Sequence, residues 1–128
     1  MILDSSAIVA VFLREPGFEA IVEKMAGAAN VGIGSPTAAE TAIVVGARLG
    51  HDGQSLVNRF LKERDITVVT LGEEHWRAAA NAYARFGRGR HPAALNFGDC
   101  LAYAVAKLAG EPLLAVGRDF PQTDIELA

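Results

Sequence analysis

The run Val31-Gly32-Ile33-Gly34-Ser35-Pro36-Thr37-Ala38-Ala39-Glu40 passes from a short apolar strand directly into a helix. Val31–Gly34 reads as the strand, and Ser35-Pro36 is a helix-start signal, with serine as cap and proline in the first turn. The helix extends to about Leu49, where Gly50-His51-Asp52-Gly53 breaks it. The same alternation continues on both sides. Upstream, Met1–Asp4 reads as a short buried strand, Ser5 or Ser6 can cap a helix to about Leu13, and Pro16 opens a helix to about Gly27. Downstream come an amphipathic helix over Gln54–Arg64, a β-branched strand at Ile66–Leu71 and a helix over Glu73–Phe86. Gly87–Phe97 is a loop carrying several basic residues, Gly98–Ala109 a helix stopped by Gly110, and Leu113–Val116 a strand. Gly117–Thr123 is then a loop, with a last strand expected at Asp124–Leu127. Strands separated by helices predict an α/β fold, with a parallel sheet covered by helices on both faces.

The composition agrees with one domain over residues 1–128. Apolar residues make up 51% and charged residues 21%, the balance of a globular chain with a proper core. The longest apolar runs, such as Ala38–Ala47 around Glu40, are too short to span a membrane. No basic segment precedes the first strand, so neither a signal peptide nor a membrane association is expected, and the cytoplasm is the expected compartment. The single cysteine, Cys100, excludes an internal disulfide and a cysteine-based zinc site. A net charge of −3 argues against a passive, high-affinity nucleic-acid binder, which would need a basic surface. An enzyme that meets phosphates through a bound cation remains compatible with that charge.

In doubly wound parallel sheets, ligands bind beyond the carboxyl ends of the strands. Four carboxylates are expected there: Asp4 ending the first strand, Glu40 early in the helix after the second, Asp99 opening the helix after the basic loop, and Asp119 following the fourth strand. Their surroundings are apolar. Asp4 lies between Met1-Ile2-Leu3 and Ala7-Ile8-Val9-Ala10-Val11; Glu40 shares a helical row with Ile43, Val44 and Ala47; Asp99 shares one with Ala102, Tyr103 and Ala106. Each acid also has a purely structural reading, as a helix cap, first-turn acid or turn cap. Several facing carboxylates buried together are costly unless some are protonated or a cation sits among them. An all-oxygen donor set suits a hard cation, Mg²⁺ or Mn²⁺.

These segments resemble the PIN family, and more narrowly the VapC-type toxins. Met1-Ile2-Leu3-Asp4-Ser5-Ser6-Ala7 is similar to the family's opening, and Ser35-Pro36-Thr37-Ala38-Ala39-Glu40-Thr41-Ala42 to its second motif. Leu95-Asn96-Phe97-Gly98-Asp99-Cys100-Leu101-Ala102-Tyr103 resembles the third, and Pro112-Leu113-Leu114-Ala115-Val116-Gly117-Arg118-Asp119-Phe120 the fourth. Gln122-Thr123-Asp124-Ile125 matches a subgroup of these toxins. Many PIN domains carry the fourth acid in a Thr-x-Asp pattern, where this chain has Gly117; Asp119 is the nearest match and Asp124 the fallback. The resemblance implies a three-layer α/β/α sandwich around a short parallel sheet, Mg²⁺ or Mn²⁺ dependence, and endonucleolytic cleavage of RNA. It also implies a homodimer and silencing by a cognate VapB-like antitoxin. Asp4 and Asp99 are then the first choices as direct metal ligands. Glu40 and Asp119 would bind through water, hold a second ion or orient the nucleophile, and Ser6 would contact a metal-bound water or Asp4, or serve as a cap.

Other residues carry weaker expectations. Arg85, Arg88, Arg90 and His91 form the one concentrated basic segment and either guide an RNA backbone or form a solvated loop; Arg118 carries the same two readings. Cys100 reads as a small buried hydrophobe, His51 and His75 as surface residues, and Trp76, Tyr83 and Phe86 as core or dimer packing. A phosphoaspartyl phosphatase would need an acid where Ser6 stands, and a receiver domain one at Leu71-Gly72. Neither pattern is present. The remaining alternative to an enzyme is an inactive PIN-like scaffold used for protein or RNA binding.

Overall fold

The computed structural model describes Met1–Ala128. Four short strands, β1 (Ile2–Leu3), β2 (Gly32–Gly34), β3 (Thr67–Val69) and β4 (Leu113–Leu114), form one parallel sheet in the order β3-β2-β1-β4. Helices α1 (Ser5–Phe12) and α2 (Phe18–Gly27) connect β1 to β2, and α3 (Ser35–Leu49) and α4 (Gly53–Glu63) connect β2 to β3. Helices α5 (Glu73–Phe86) and α6 (Phe97–Ala109) complete the crossover to β4.

The order reverses at β1. The chain first winds outward through β2 and β3, then returns to place β4 on the other side of β1. If the crossover hand is kept, reversing direction puts the last pair of helices on the opposite face. The core is divided accordingly. Met1, Leu3, Val31, Ile33 and Leu114 pack with α1 to α4, while Ile2 and Leu113 pack with α5 and α6. Successive strand residues point to opposite faces, so Ile2 and Leu3 separate the two layers of this α/β/α sandwich. A Cβ added to Gly34, on the α6 side, would lie 3.0 Å from Val105 Cγ2; glycine there allows α6 to close on the sheet.

Several boundaries differ from the sequence expectation. The second helix starts at Phe18 rather than Pro16, because Gly17 takes a left-handed φ of +90° at its N-cap and turns the chain. Asp52 caps α4 through hydrogen bonds from Gln54 N and Ser55 N, which brings Gly53 into the helix. The last strand is reduced to a single bridge between Leu113 and Leu127. The row on α3 containing Glu40 and Ile43 is not the buried one. Thr37, Thr41 and Val45 face the core, and Ile43 is 72% exposed, because the inward face of α3 is set by its packing on α1 and α4. Helix α6 follows its sequence pattern: Ala102, Tyr103 and Ala106 are buried behind Asp99. No helix is long and apolar enough to cross a membrane.

Candidate active site at the carboxyl edge of the sheet

The reversal point between β1 and β4 is where a ligand crevice opens in such sheets, and Asp4 stands there. It is 4% exposed and acts as the N-cap of α1, its Oδ2 accepting from Ser6 N at 3.1 Å and from Ser6 Oγ at 2.5 Å. Ser6 Oγ in turn accepts from Val116 N at 3.0 Å. One hydroxyl thus ties the carboxylate after β1 to the segment leaving β4. The other oxygen, Asp4 Oδ1, is buried without any hydrogen-bond partner. An orphaned buried carboxylate oxygen is costly.

The three other acids approach from separate elements. Asp99 is half-buried in the first turn of α6, where it forms a reciprocal cap with Asn96: Asp99 N donates to Asn96 Oδ1 at 2.8 Å, and Asn96 N to Asp99 Oδ2 at 3.0 Å. Glu40 lies half-buried on α3 against the start of α6. A Cβ on Gly98 would fall 2.7 Å from Glu40 Oε2, so the absent side chain makes room for that carboxylate. Asp119 is exposed, just before a 3-10 turn at Phe120–Gln122 that it does not cap with its side chain.

The electrostatics join the four. Burial pushes the Asp99 carboxyl up to about 6, the charges of Asp4, Asp119 and Glu40 push the same way, and the Asn96 amide opposes them. The Asp4 carboxyl is raised by burial first and by Glu40 second, against the lowering effect of the Ser6 donors. Both shifts describe negative charges crowded in a site from which water is partly excluded. Even so, no three of these side chains converge as a ready-made set of direct metal ligands. Asp4 Oδ2 is turned to Ser6 and Asp99 Oδ2 to Asn96. Mg²⁺ keeps several waters and takes one or two carboxylates, so the donor chemistry and the unpartnered Asp4 Oδ1 fit such an ion.

The raised Asp99 value has a consequence for stability. The folded chain holds this proton up to about pH 6, whereas an unfolded aspartate releases it near 3.9. Stability from this group is therefore full below the unfolded value and lost as pH rises through the folded one. Thermal melts in EDTA are expected to show Tm falling from about pH 4 to about pH 7, with a smaller fall in excess Mg²⁺. A flat profile in EDTA would contradict the crowding.

Asp124, the fallback for the fourth acid, is engaged elsewhere. It accepts from Tyr103 Oη at 2.6 Å, and pairs with Lys107 Nζ at 3.2 Å and the Arg85 guanidinium at 3.4 Å. The Tyr103 hydroxyl, then Lys107 and Arg85, hold its carboxyl below the usual range despite some desolvation. It is not among the charges acting on Asp99. Arg85 accordingly belongs to α5 and to this cluster, its guanidinium also lying over Phe86, rather than to a free basic loop. His91 packs edge-on against Phe86 and accepts from Ala93 N, Arg90 lies over Tyr83, and Arg88 and Arg118 are exposed with no ion pair. Burial, then the Asp99 charge, pushes the buried Cys100 thiol up to about 11, which leaves it protonated and unsuited to be a nucleophile. His51 is exposed, and His75 Nδ1 caps α5 by accepting from Gly72 N at 3.0 Å. Phe86 is core, but Trp76 and Tyr83 are exposed.

Three features of the site were not anticipated: the Asn96–Asp99 cap, the Gly98 clearance and the Ser6–Val116 bridge. The first had a visible signal, Asn-x-x-Asp at a helix start. The other two depend on elements far apart in the chain.

Fold and site together define an α/β/α protein with a carboxylate centre at its topological switch point. A PIN domain model matches residues 1–126, and the chain belongs to the PIN-domain family, in its VapC branch. Ribonuclease VapC36 of Mycobacterium tuberculosis is 46% identical over 127 residues, covering 98% of this chain and 91% of the relative. Ribonuclease VapC of Mycolicibacterium smegmatis is 38% identical over 125 residues, covering 98% and 97%. Among solved structures, Mycobacterium tuberculosis VapC20, a sarcin–ricin loop cleaving toxin, superposes with a TM-score of 0.80 at 16% identity, over 99% of this chain and 97% of that one. A toxin–antitoxin complex from Klebsiella pneumoniae gives 0.73 at 13% identity, over 99% and 95%. At these identities the two structures speak to the fold.

Proposed function

We propose that this protein is an Mg²⁺- or Mn²⁺-dependent endoribonuclease that hydrolyses RNA phosphodiester bonds, the toxin of a toxin–antitoxin pair. The observation that carries the reading is Asp4 Oδ1, a buried and unpartnered carboxylate oxygen at the switch point, on a side chain that feels the charge of Glu40 and acts, with Glu40 and Asp119, on Asp99. The ribonuclease names of relatives up to 46% identical support the same activity.

Asp4 and Asp99 would hold the cation, with Glu40 and Asp119 binding through water or orienting the attacking water. When bound, such an ion supplies charge for the scissile phosphate and lowers the pKa of water. The residues' own work is positional. Ser6 locks the Asp4 carboxylate by two donated hydrogen bonds and leaves Oδ1 free. The Asn96 cap fixes Asp99 at the start of α6, where the helix dipole favours negative charge. Gly98 gives Glu40 its place beside it. Arg88, in the segment leading to α6, and Arg118, beside Asp119, are exposed without an ion pair and would meet the RNA backbone.

The toxin–antitoxin complex among the structural neighbours supports a cognate antitoxin as the partner. A homodimer is part of the same reading.

The test is metal removal. Purified free of partner and incubated with labelled RNA, the protein is expected to cleave with Mg²⁺ or Mn²⁺ and to stop in EDTA. Binding of RNA without metal-dependent cleavage under any of these conditions would instead favour the inactive scaffold.

A further inference from the structure

Phe97 has no part in the chemistry above, yet its ring is 79% exposed, the highest exposure among the large exposed hydrophobic side chains. It is the first residue of α6, one position before Gly98 and two before Asp99. The ring borders two depressions. One is the apolar α5–α6 groove. The other is a small pocket of about 130 Å³ between α3 and α6, lined by Pro36, Thr37, Glu40, Phe97, Gly98 and Leu101.

The two differ in chemistry. The groove contains no polar lining residue. The pocket sets Phe97, Leu101 and Pro36 beside a hydroxyl residue, Thr37, and the carboxylate of Glu40. An aromatic face next to hydrogen-bonding groups is what an unpaired nucleobase needs: stacking on the ring and acceptors for its edge. Glu40 and Gly98, the neighbour of Asp99, both line this pocket, so it adjoins the carboxylate centre. RNA held at that centre must lead its flanking nucleotides over the adjoining surface, and Phe97 is the exposed aromatic ring there.

Building on the ribonuclease reading, we propose that Phe97 is a stacking platform for one unpaired base of the RNA, flanking the cleaved phosphate, with the base edge turned to Glu40. It is a specificity-determining residue. The ring carries no charge and takes no part in proton or metal chemistry.

The experiment combines cleavage and binding. A single-stranded RNA that the protein cuts is prepared with one abasic position at a time around the cut, and wild type, Phe97→Ala and Phe97→Trp are compared. One abasic position is expected to lower wild-type kcat/KM by about 10- to 100-fold. Phe97→Ala should lose a similar factor on intact RNA and become indifferent to that position, while Phe97→Trp keeps both activity and base dependence. In EDTA, 2-aminopurine at the same position should be quenched by wild type and not by Phe97→Ala. Unchanged cleavage by Phe97→Ala, or undiminished sensitivity to the abasic position, overturns the proposal. So does conversion of Phe97→Ala to a monomer with base dependence intact, which would assign the ring to an interface between copies. Should wild type cut no RNA with either metal, the nuclease reading fails. The quenching, scanned along the strand, then decides the stacking on its own, and its absence overturns it.

Discussion

Asp4→Asn is expected to lower RNA cleavage by about 10²- to 10³-fold, the scale of losing one charge-stabilising group in an active site. The metal-free protein is expected to melt at a higher temperature. The two effects come from the same carboxylate. Asparagine caps a helix as well as aspartate does, so the hydrogen bonds from Ser6 to the Oδ2 position can persist. What is lost is a negative charge on a side chain that is 4% exposed and has one oxygen unpartnered. Removing it relieves the extra cost of burying a charged rather than a neutral group, even with the amide nitrogen in the unpartnered place, and it also removes one of the charges that raise Asp99. Calorimetry or thermal melts in EDTA, set beside a cleavage assay in Mg²⁺, check both halves. A variant that lost activity and stability in parallel would mark Asp4 as a structural cap and remove it from the chemistry.

Gly53→Ala should destabilise the fold by about 3 kcal/mol or more, at or beyond the upper end of overpacking costs. A Cβ at this position would lie 1.8 Å from Ala42 O and 2.8 Å from Gly46 N. Both obstacles are backbone, and neither can rotate away. Helices α3 and α4 would have to part, and α3 carries Glu40. Gly50→Ala supplies the comparison. Gly50 has a left-handed φ of +67° with nothing within 4 Å, so alanine there meets backbone strain alone, costing about 1–2 kcal/mol. Urea unfolding of the two variants should separate them clearly, and equal midpoints would refute the close approach of the two helices.

Much of this architecture is local in origin and could be read residue by residue. The Ser35-Pro36 start, the Gly50 stop, the four short apolar runs and the intervening amphipathic segments predict alternating strands and helices, and the sheet is parallel. Asp4, Glu40 and Asp99 are legible in the sequence because acids in apolar stretches at strand ends and helix starts are conspicuous. The readings that needed correction share a cause. The Glu40 row looked buried because Ile43 and Val44 follow it at helical spacing, but periodicity does not say which face of an apolar helix its neighbours will cover. Here Thr37, Thr41 and Val45 turn inward. Arg85 looked like part of a basic loop because the residues with which it pairs or packs were not visible from its neighbours.

The choice between Asp119 and Asp124 shows the division most plainly. In sequence, the two acids are five residues apart, one in the loop after the fourth strand and one opening the expected last strand, and either could complete the set. The sequence by itself determined the elements, their order and the residue types that carry charge into apolar surroundings, since propensity, capping and patterning act within a few residues. Only the tertiary structure decided which charges meet. Asp124 is drawn away by Tyr103, Lys107 and Arg85, partners 17 to 39 positions distant in the chain, while Asp119 acts on Asp99. Electrostatic coupling depends on separation in space and on the water excluded between groups, and both come into being only when β4 returns to the side of β1 and the two acids around Gly98 are pressed together.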